Sequence, residues 1–174
     1  MNENKSEIDF GPGIISTYKG KRFNVLAPNP ELICIEDIAH ALSNLCRFGG
    51  HIQQFYSVAQ HSLIVAALVP RNHKLAALLH DASEAYLVDI PTPVKVLLPD
   101  YFTIEYRVTE AISKKFGFQY PFHESVIRAD KKILRWEWNK IVKREHTVYS
   151  LMSPDEAERE FLTHFHAVTE YEEF

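Results

Sequence analysis

Residues 57–70, SVAQHSLIVAALVP, decide the fold class. Ser57 followed three residues later by Gln60 is the pattern of a capping box, in which a hydroxyl and an amide side chain satisfy the first free backbone amides of a helix. The apolar run behind it predicts a helix over about 57–69, stopped at Pro70. His61 shares a face of that helix with Val58, Val65 and Leu68, so it is expected to point toward the core. A histidine on an apolar face is ordinarily a hydrogen-bonded core residue. Taken alone, His61 leaves a packing role and a ligand role open.

Working outward, the same helical period recurs on both sides. Upstream, Ile35, Ile38, Ala39, Leu42 and Leu45 predict a first helix that ends at Gly49-Gly50. The lead-in, residues 1–30, is rich in Gly and Pro, and Tyr18-Lys19-Gly20-Lys21 between short β-prone runs predicts a small hairpin. Downstream, a helix is expected from about Asn72 to Tyr86, and a short one opening with Thr92 as N-cap and Pro93 at the first helical position. Amphipathic stretches over about 101–116 and 124–144 follow, and Ser153-Pro154-Asp155-Glu156 caps a final helix to about Val168. The expectation is one all-α domain over 1–174, a lead-in of 1–30 with a β-hairpin and a helical core of 31–174.

Composition narrows the function classes. The 174 residues are 46% apolar with 19 Lys and Arg against 23 Asp and Glu. That length buries roughly 70% of the unfolded chain's surface, so no disulfide or metal is needed merely to hold a core. A net charge of -4 argues against a broad nucleic-acid groove or an anionic membrane surface as partner. The central apolar run Leu63 to Val69 is far short of the ~20 residues that cross a bilayer. MNENKSEIDF lacks the basic and apolar regions of a signal peptide, and Cys34 and Cys46 form no metal-type pair, so a cytoplasmic location is expected.

Three elements break the apolar pattern. Besides His61, Asp130 stands among Val126, Ile127, Ile133, Leu134 and Ile141, in the expected apolar stripe of its helix. A carboxylate there must meet a cation, protonate or bind a metal, because desolvating an unpaired charge costs several kcal/mol; Arg128 and Lys132 lie on other faces. The third element is His80-Asp81-Ala82-Ser83-Glu84. Asp81 could cap a new helix with Glu84 closing the box, but Leu75, Leu78 and Leu79 leading into it argue against a fresh start. His61, His80, Asp81 and Asp130 together make a donor set suited to Zn, Mn, Fe or Co, with Glu84 beside it. His40, His51, His73, His123, His146, His164 and His166 are read as surface or core histidines.

The pattern H…HD…D, with 19 residues from His61 to His80 and 49 from Asp81 to Asp130, resembles the ligand set of HD-domain metal-dependent phosphohydrolases. Residues 80–95, HDASEAYLVDIPTPVK, are similar to a stretch of bacterial 5′-deoxynucleotidases, and SVAQHSLIVA and EYRVTEAISKKF resemble their neighbouring helices. The resemblance implies an HD-type helical bundle. It implies His61, His80, Asp81 and Asp130 as ligands of one divalent transition metal (Zn, Mn or Co), and Glu84 and Asp89 as catalytic carboxylates. Arg47 matches the phosphate-binding arginine of that family. Lys95, in the first turn of the helix opened by Thr92-Pro93, is placed either to hold phosphate or as a solvated surface lysine, and Phe48 beside Arg47 either to stack on a base or simply to pack. The short chain and its Pro/Gly-rich lead-in look more like compact phage-encoded dATP triphosphohydrolases. A dNTP triphosphohydrolase is therefore expected first, a 5′-deoxynucleotidase second, and a catalytically silent HD scaffold third. The implied partners are a deoxynucleotide substrate and further copies of the chain in a homo-oligomer, with no membrane and no stable nucleic-acid partner.

Overall fold

The computed structural model describes residues 11–143 and 151–170. The hairpin forms as expected. Strands β1 (Ile14–Ser16) and β2 (Arg22–Asn24) pair antiparallel with Ile15 opposite Phe23. Gly20, at φ 75°, supplies the left-handed position of the turn between them. Phe23 is fully buried and packs its ring on Tyr86 at 4.3 Å, which fastens the hairpin to the helical body.

Among the described residues all other regular elements are helical. Helices α1 (Ile35–Asn44), α2 (Val58–Ala67), α3 (Lys74–Leu78), α4 (Glu84–Leu87), α5 (Thr92–Lys95), α6 (Pro99–Phe116), α7 (Glu124–Glu137) and α8 (Pro154–Thr169) follow in order. Among the described residues no helix is long and apolar enough to cross a membrane. Both cysteines are free.

Helix α2 is the axis of the fold, packed by α1, α3, α7 and α8. Nearly every residue of it is buried, the polar Gln60, His61 and Ser62 included. Its N-terminus is capped by Ser57 Oγ, which accepts from the Gln60 amide at 3.1 Å. The other half of the expected box is absent. Gln60 Oε1 accepts from the Met152 amide at 3.0 Å and so ties α2 to the approach to α8. At α8 the box is complete, with Ser153 and Glu156 bonded reciprocally.

Several expectations need correction. The first helix, expected to run to Gly49-Gly50, ends at Asn44 with Leu45 already extended, and Arg47–Gly50 form a separate short turn. The helix expected over 72–86 is broken: α3 ends at Leu78, and residues 79–86 turn through successive i to i+3 bonds before and into α4. A fresh helical segment therefore does begin at Glu84, although Ser83 rather than Asp81 is its N-cap and no side chain caps it. In α5, Pro91 is the N-cap and Thr92 the first helical residue, one position earlier than expected. The stretch expected as one helix over 124–144 is α7 followed by a π-helical turn, Trp138–Val142, and residue 144 lies outside the described residues.

The inward stripe of α7 is Val126, Ala129, Ile133 and Glu137, whereas Ile127 and Leu134 are exposed. Asp130 is therefore at the edge of the apolar face and not in its middle; its side chain is 35% exposed.

Candidate metal centre

The fold brings His61 from α2, His80 and Asp81 from the turn after α3, and Asp130 from α7 to one place. Ligand atoms of His61, His80 and Asp130 all lie within 4.8 Å of one another. The two Nε2 atoms are 3.3 Å apart, and Asp130 Oδ1 is 3.3 Å from that of His61 and 3.9 Å from that of His80. Asp81 flanks this set, its Oδ2 3.2 Å from His80 Nε2 and 3.6 Å from His61 Nε2. Four donors at about 2.0–2.1 Å around a tetrahedral ion stand about 3.3 Å from one another. These separations cluster around that value, so the set fits a transition-metal ion and His61, His80 and Asp130 could hold one.

The ring orientations support the same fit. His61 Nδ1 faces Glu137 Oε1 at 2.6 Å, and His80 Nδ1 faces the Ala77 carbonyl at 2.8 Å. Both partners only accept, so each Nδ1 carries the proton and donates. In the neutral imidazoles the two Nε2 lone pairs then face one another, an arrangement that needs a cation or a proton between them. A carboxylate or carbonyl behind each ligating imidazole is the usual support of a metal site. Burial pulls the His80 imidazole down, but the charge and hydrogen bond of Asp81 and the charge of Asp130 hold it above its ordinary value. Asp81 is strongly lowered, since His80, His61 and Arg47 outweigh its burial.

Glu137 has no counterpart in the sequence reading. Fully buried, it accepts from His61, from the Tyr56 hydroxyl at 2.8 Å and from Arg47 Nη2 at 3.0 Å. Burial works to raise its pKa, but the His61 bond and charge, Arg47 and Tyr56 hold it below the ordinary value. The signal was its spacing. Glu137 is seven residues beyond Asp130, two turns along one helix face. The π-helical turn begins at the next residue, and such turns recur at functional sites.

Arg47 is 8% exposed and spans the site, 3.0 Å from Glu137 and 3.6 Å from Asp81. The crossing between α1 and α2 puts it there: Arg47 N donates to the Tyr56 carbonyl, and Val58 N to that of Leu45. Its Nε–H is buried with no partner among the described residues. Phe48 follows in the left-handed region at φ 57°, under the Arg47 guanidinium at 5.5 Å and edge-on to Trp138 at 6.3 Å.

Glu84 is buried, and its Oε2 finds no hydrogen-bond partner among the described residues. Burial first, then Asp81 and Asp89, push its carboxyl well above the ordinary range. Asp89 is raised as well, chiefly by burial. Val88 before it sits at φ 63°, ψ 159°, a region that costs a residue with a Cβ about 1–3 kcal/mol. Lys95 is not a free cation; Glu105 Oε1 holds its Nζ at 2.7 Å and the Tyr101 ring lies 5.2 Å away.

Of the other histidines, His40 pairs with Glu158 at 3.0 Å and stacks on Tyr18, and His73 stacks on His123 at 4.1 Å. His146 lies outside the described residues. A cleft of about 870 Å³ lies elsewhere, lined by Ala66, Ala67, Leu78 and Val168 among others, and contains none of the site residues.

No family model matches the chain. YfdR, an uncharacterized protein of Escherichia coli strain K12, is 46% identical over 123 residues, covering 71% of this chain and 69% of that protein. An uncharacterized Rhodobacter capsulatus protein, RCAP_rcc00048, is 40% identical over 122 residues, covering 64% of this chain and 62% of that protein, less than two thirds of its length.

Proposed function

The chain belongs to the family of Escherichia coli YfdR, and we propose that its function within that family is that of an HD-type, metal-dependent phosphohydrolase of deoxynucleotides. The observation that carries this reading is the pair of imidazole Nε2 atoms 3.3 Å apart, each with its Nδ1 already donating, beside two carboxylates. A divalent Zn, Mn or Co ion held by His61, His80, Asp130 and Asp81 would supply a Lewis acid that neutralises charge on a phosphoryl oxygen.

The chain's own residues supply the remainder. Glu137 keeps the His61 proton on Nδ1 and holds the ring in its orientation. Glu84, with a raised carboxyl and an unpartnered buried Oε2, is suited to take a proton from an attacking water and return it to the leaving oxygen. Arg47 is fixed by Glu137 and retains one unpartnered donor, Nε–H, for a phosphate oxygen. Asp89 contributes a second carboxylate with a raised pKa.

The substrate class rests on residues 80–95 and their similarity to 5′-deoxynucleotidases. Similarity to compact phage enzymes favours a dNTP substrate with release of triphosphate. A specific observation favours the monophosphate reading: Lys95 is matched by Glu105 and Arg47 by Glu137 and Asp81, which leaves little unmatched positive charge for a triphosphate. The test is chromatography of products from dATP, dGTP and dAMP with Mn, Co or Zn added. Deoxynucleoside with triphosphate, or deoxynucleoside with phosphate, is the expected product; intact nucleotides with every metal would leave the silent scaffold.

A further inference from the structure

The segment from Val88 to Lys95 is held at both ends by one face of α6. Val88 occupies a backbone region nearly restricted to glycine, yet the residue is 54% exposed, so buried packing does not keep it there. Two hydrogen bonds flank it. Its amide donates to the Glu84 carbonyl at 2.8 Å, and its carbonyl accepts from the Tyr101 hydroxyl at 3.1 Å. That carbonyl belongs to the peptide plane joining Val88 to Asp89, so Tyr101 sets the direction in which Asp89 leaves the strained residue. Four residues along α6, on the same face, Glu105 grips Lys95 at the other end of the segment. Burial, then Glu105, Glu84, Asp89 and Asp81, push the Tyr101 phenol well above its ordinary value, which keeps it a donor.

We propose that Tyr101 is a positioning residue for Asp89, acting as a clasp on the Val88 carbonyl; the kinetic consequence rests on the phosphohydrolase reading above. Without the clasp Val88 relaxes toward negative φ, and Asp89 turns with it. Glycine carries no such bias, because it populates positive φ about as readily as negative.

Tyr101→Phe keeps the ring beside Lys95 and removes only the hydroxyl. In the metal-loaded chain it should lower kcat on whichever deoxynucleotide is turned over, approaching the ~10²-fold that a 1 Å misplacement costs, with metal content unchanged. Amide exchange at Val88 should accelerate. Adding Val88→Gly to Tyr101→Phe should restore part of the lost kcat, which a merely structural role would not produce. Wild-type kcat in Tyr101→Phe, or a loss that Val88→Gly does not relieve, would overturn the proposal. If the wild-type chain hydrolyses no deoxynucleotide, the phosphohydrolase reading fails on its own. Val88 exchange then still decides the clasp: faster in Tyr101→Phe upholds it, unchanged overturns it.

Discussion

Glu137 Oε1 lies 2.6 Å from His61 Nδ1, and the same carboxylate receives Tyr56 and Arg47. One buried anion thus orients a candidate metal ligand and anchors the cation that crosses to Asp81. Glu137→Gln keeps the shape but sets an amide among three donors. It should weaken metal binding about 10- to 100-fold, as loss of such supports does elsewhere. Competition against a chelator measures this. Glu137→Ala strands the buried Arg47 and should cost about 3–5 kcal/mol in urea unfolding. A Glu137→Gln chain with wild-type metal affinity would sever the support from the site.

One transition-metal ion per chain should remain after dialysis, and His61→Ala or Asp130→Ala should lose it. Metal analysis by mass spectrometry reads the outcome. Asp81 is divided between the imidazoles and Arg47, so Asp81→Asn decides whether it ligates. Lower occupancy makes it the fourth ligand, and full occupancy makes it a partner of Arg47. Full occupancy in Asp130→Ala would remove the metal assignment.

Glu84 gives a pH-dependent prediction. Its carboxyl is raised by burial, then by Asp81 and Asp89, while in the unfolded chain it titrates near about 4.3. The native state therefore holds this proton more tightly than the unfolded state. The stability it contributes is complete below about pH 4.3 and is lost as pH rises toward the native value. Glu84→Gln is neutral throughout. The metal-free variant should melt above wild type at pH 7.5 and level with it near pH 4, while turnover in the loaded chain falls about 10²- to 10⁴-fold. Equal melting differences at both pH values would show that Glu84 is not buried as an acid.

Ser57, the His61 face and the Ser153 box were legible because capping and helical period are local signals; the structure keeps Ser57 as N-cap, the Ser153 box and the inward His61, Val58 and Val65, but Leu68, expected on that face, is the exposed C-cap of α2. The break after Leu78 was not. No Gly or Pro marks it, and the apolar run Leu75 to Leu79 is buried through the turn as it is in α3. Tertiary packing bends the chain there and delivers His80 and Asp81 to α2. Asp130 was singled out on a misplaced stripe, since Ile127 and Leu134 face solvent. Its meeting with His61 nevertheless holds, because it stands one residue from inward Ala129. Glu137 and Tyr56 were missed because an apolar-period search passes over polar residues that satisfy one another. Tyr101 and Glu105 act on residues 88–95 through contacts with no local signature.

The last prediction concerns phosphate number. Lys95 has its charge matched by Glu105 at 2.7 Å, so truncating it removes a paired cation rather than a free one. A triphosphate with about four negative charges would compete with Glu105 for the ammonium, and a monophosphate held mainly at the ion and Arg47 would not. Lys95→Ala should therefore cost dATP turnover up to the roughly 1.5–3 kcal/mol of a hydrogen bond to a charged group, and leave dAMP turnover nearly unchanged. Glu105→Gln supplies the opposite arm. It frees the ammonium and should raise kcat/KM for dATP relative to dAMP if the third phosphate reaches Lys95. Arg47→Ala is a poorer probe, because it also strands the buried Glu137. Comparing kcat/KM on both substrates for wild type, Lys95→Ala and Glu105→Gln checks the pair. If both variants leave the dATP to dAMP ratio at its wild-type value, Lys95 holds the 88–95 segment to α6 and takes no part in reading phosphates.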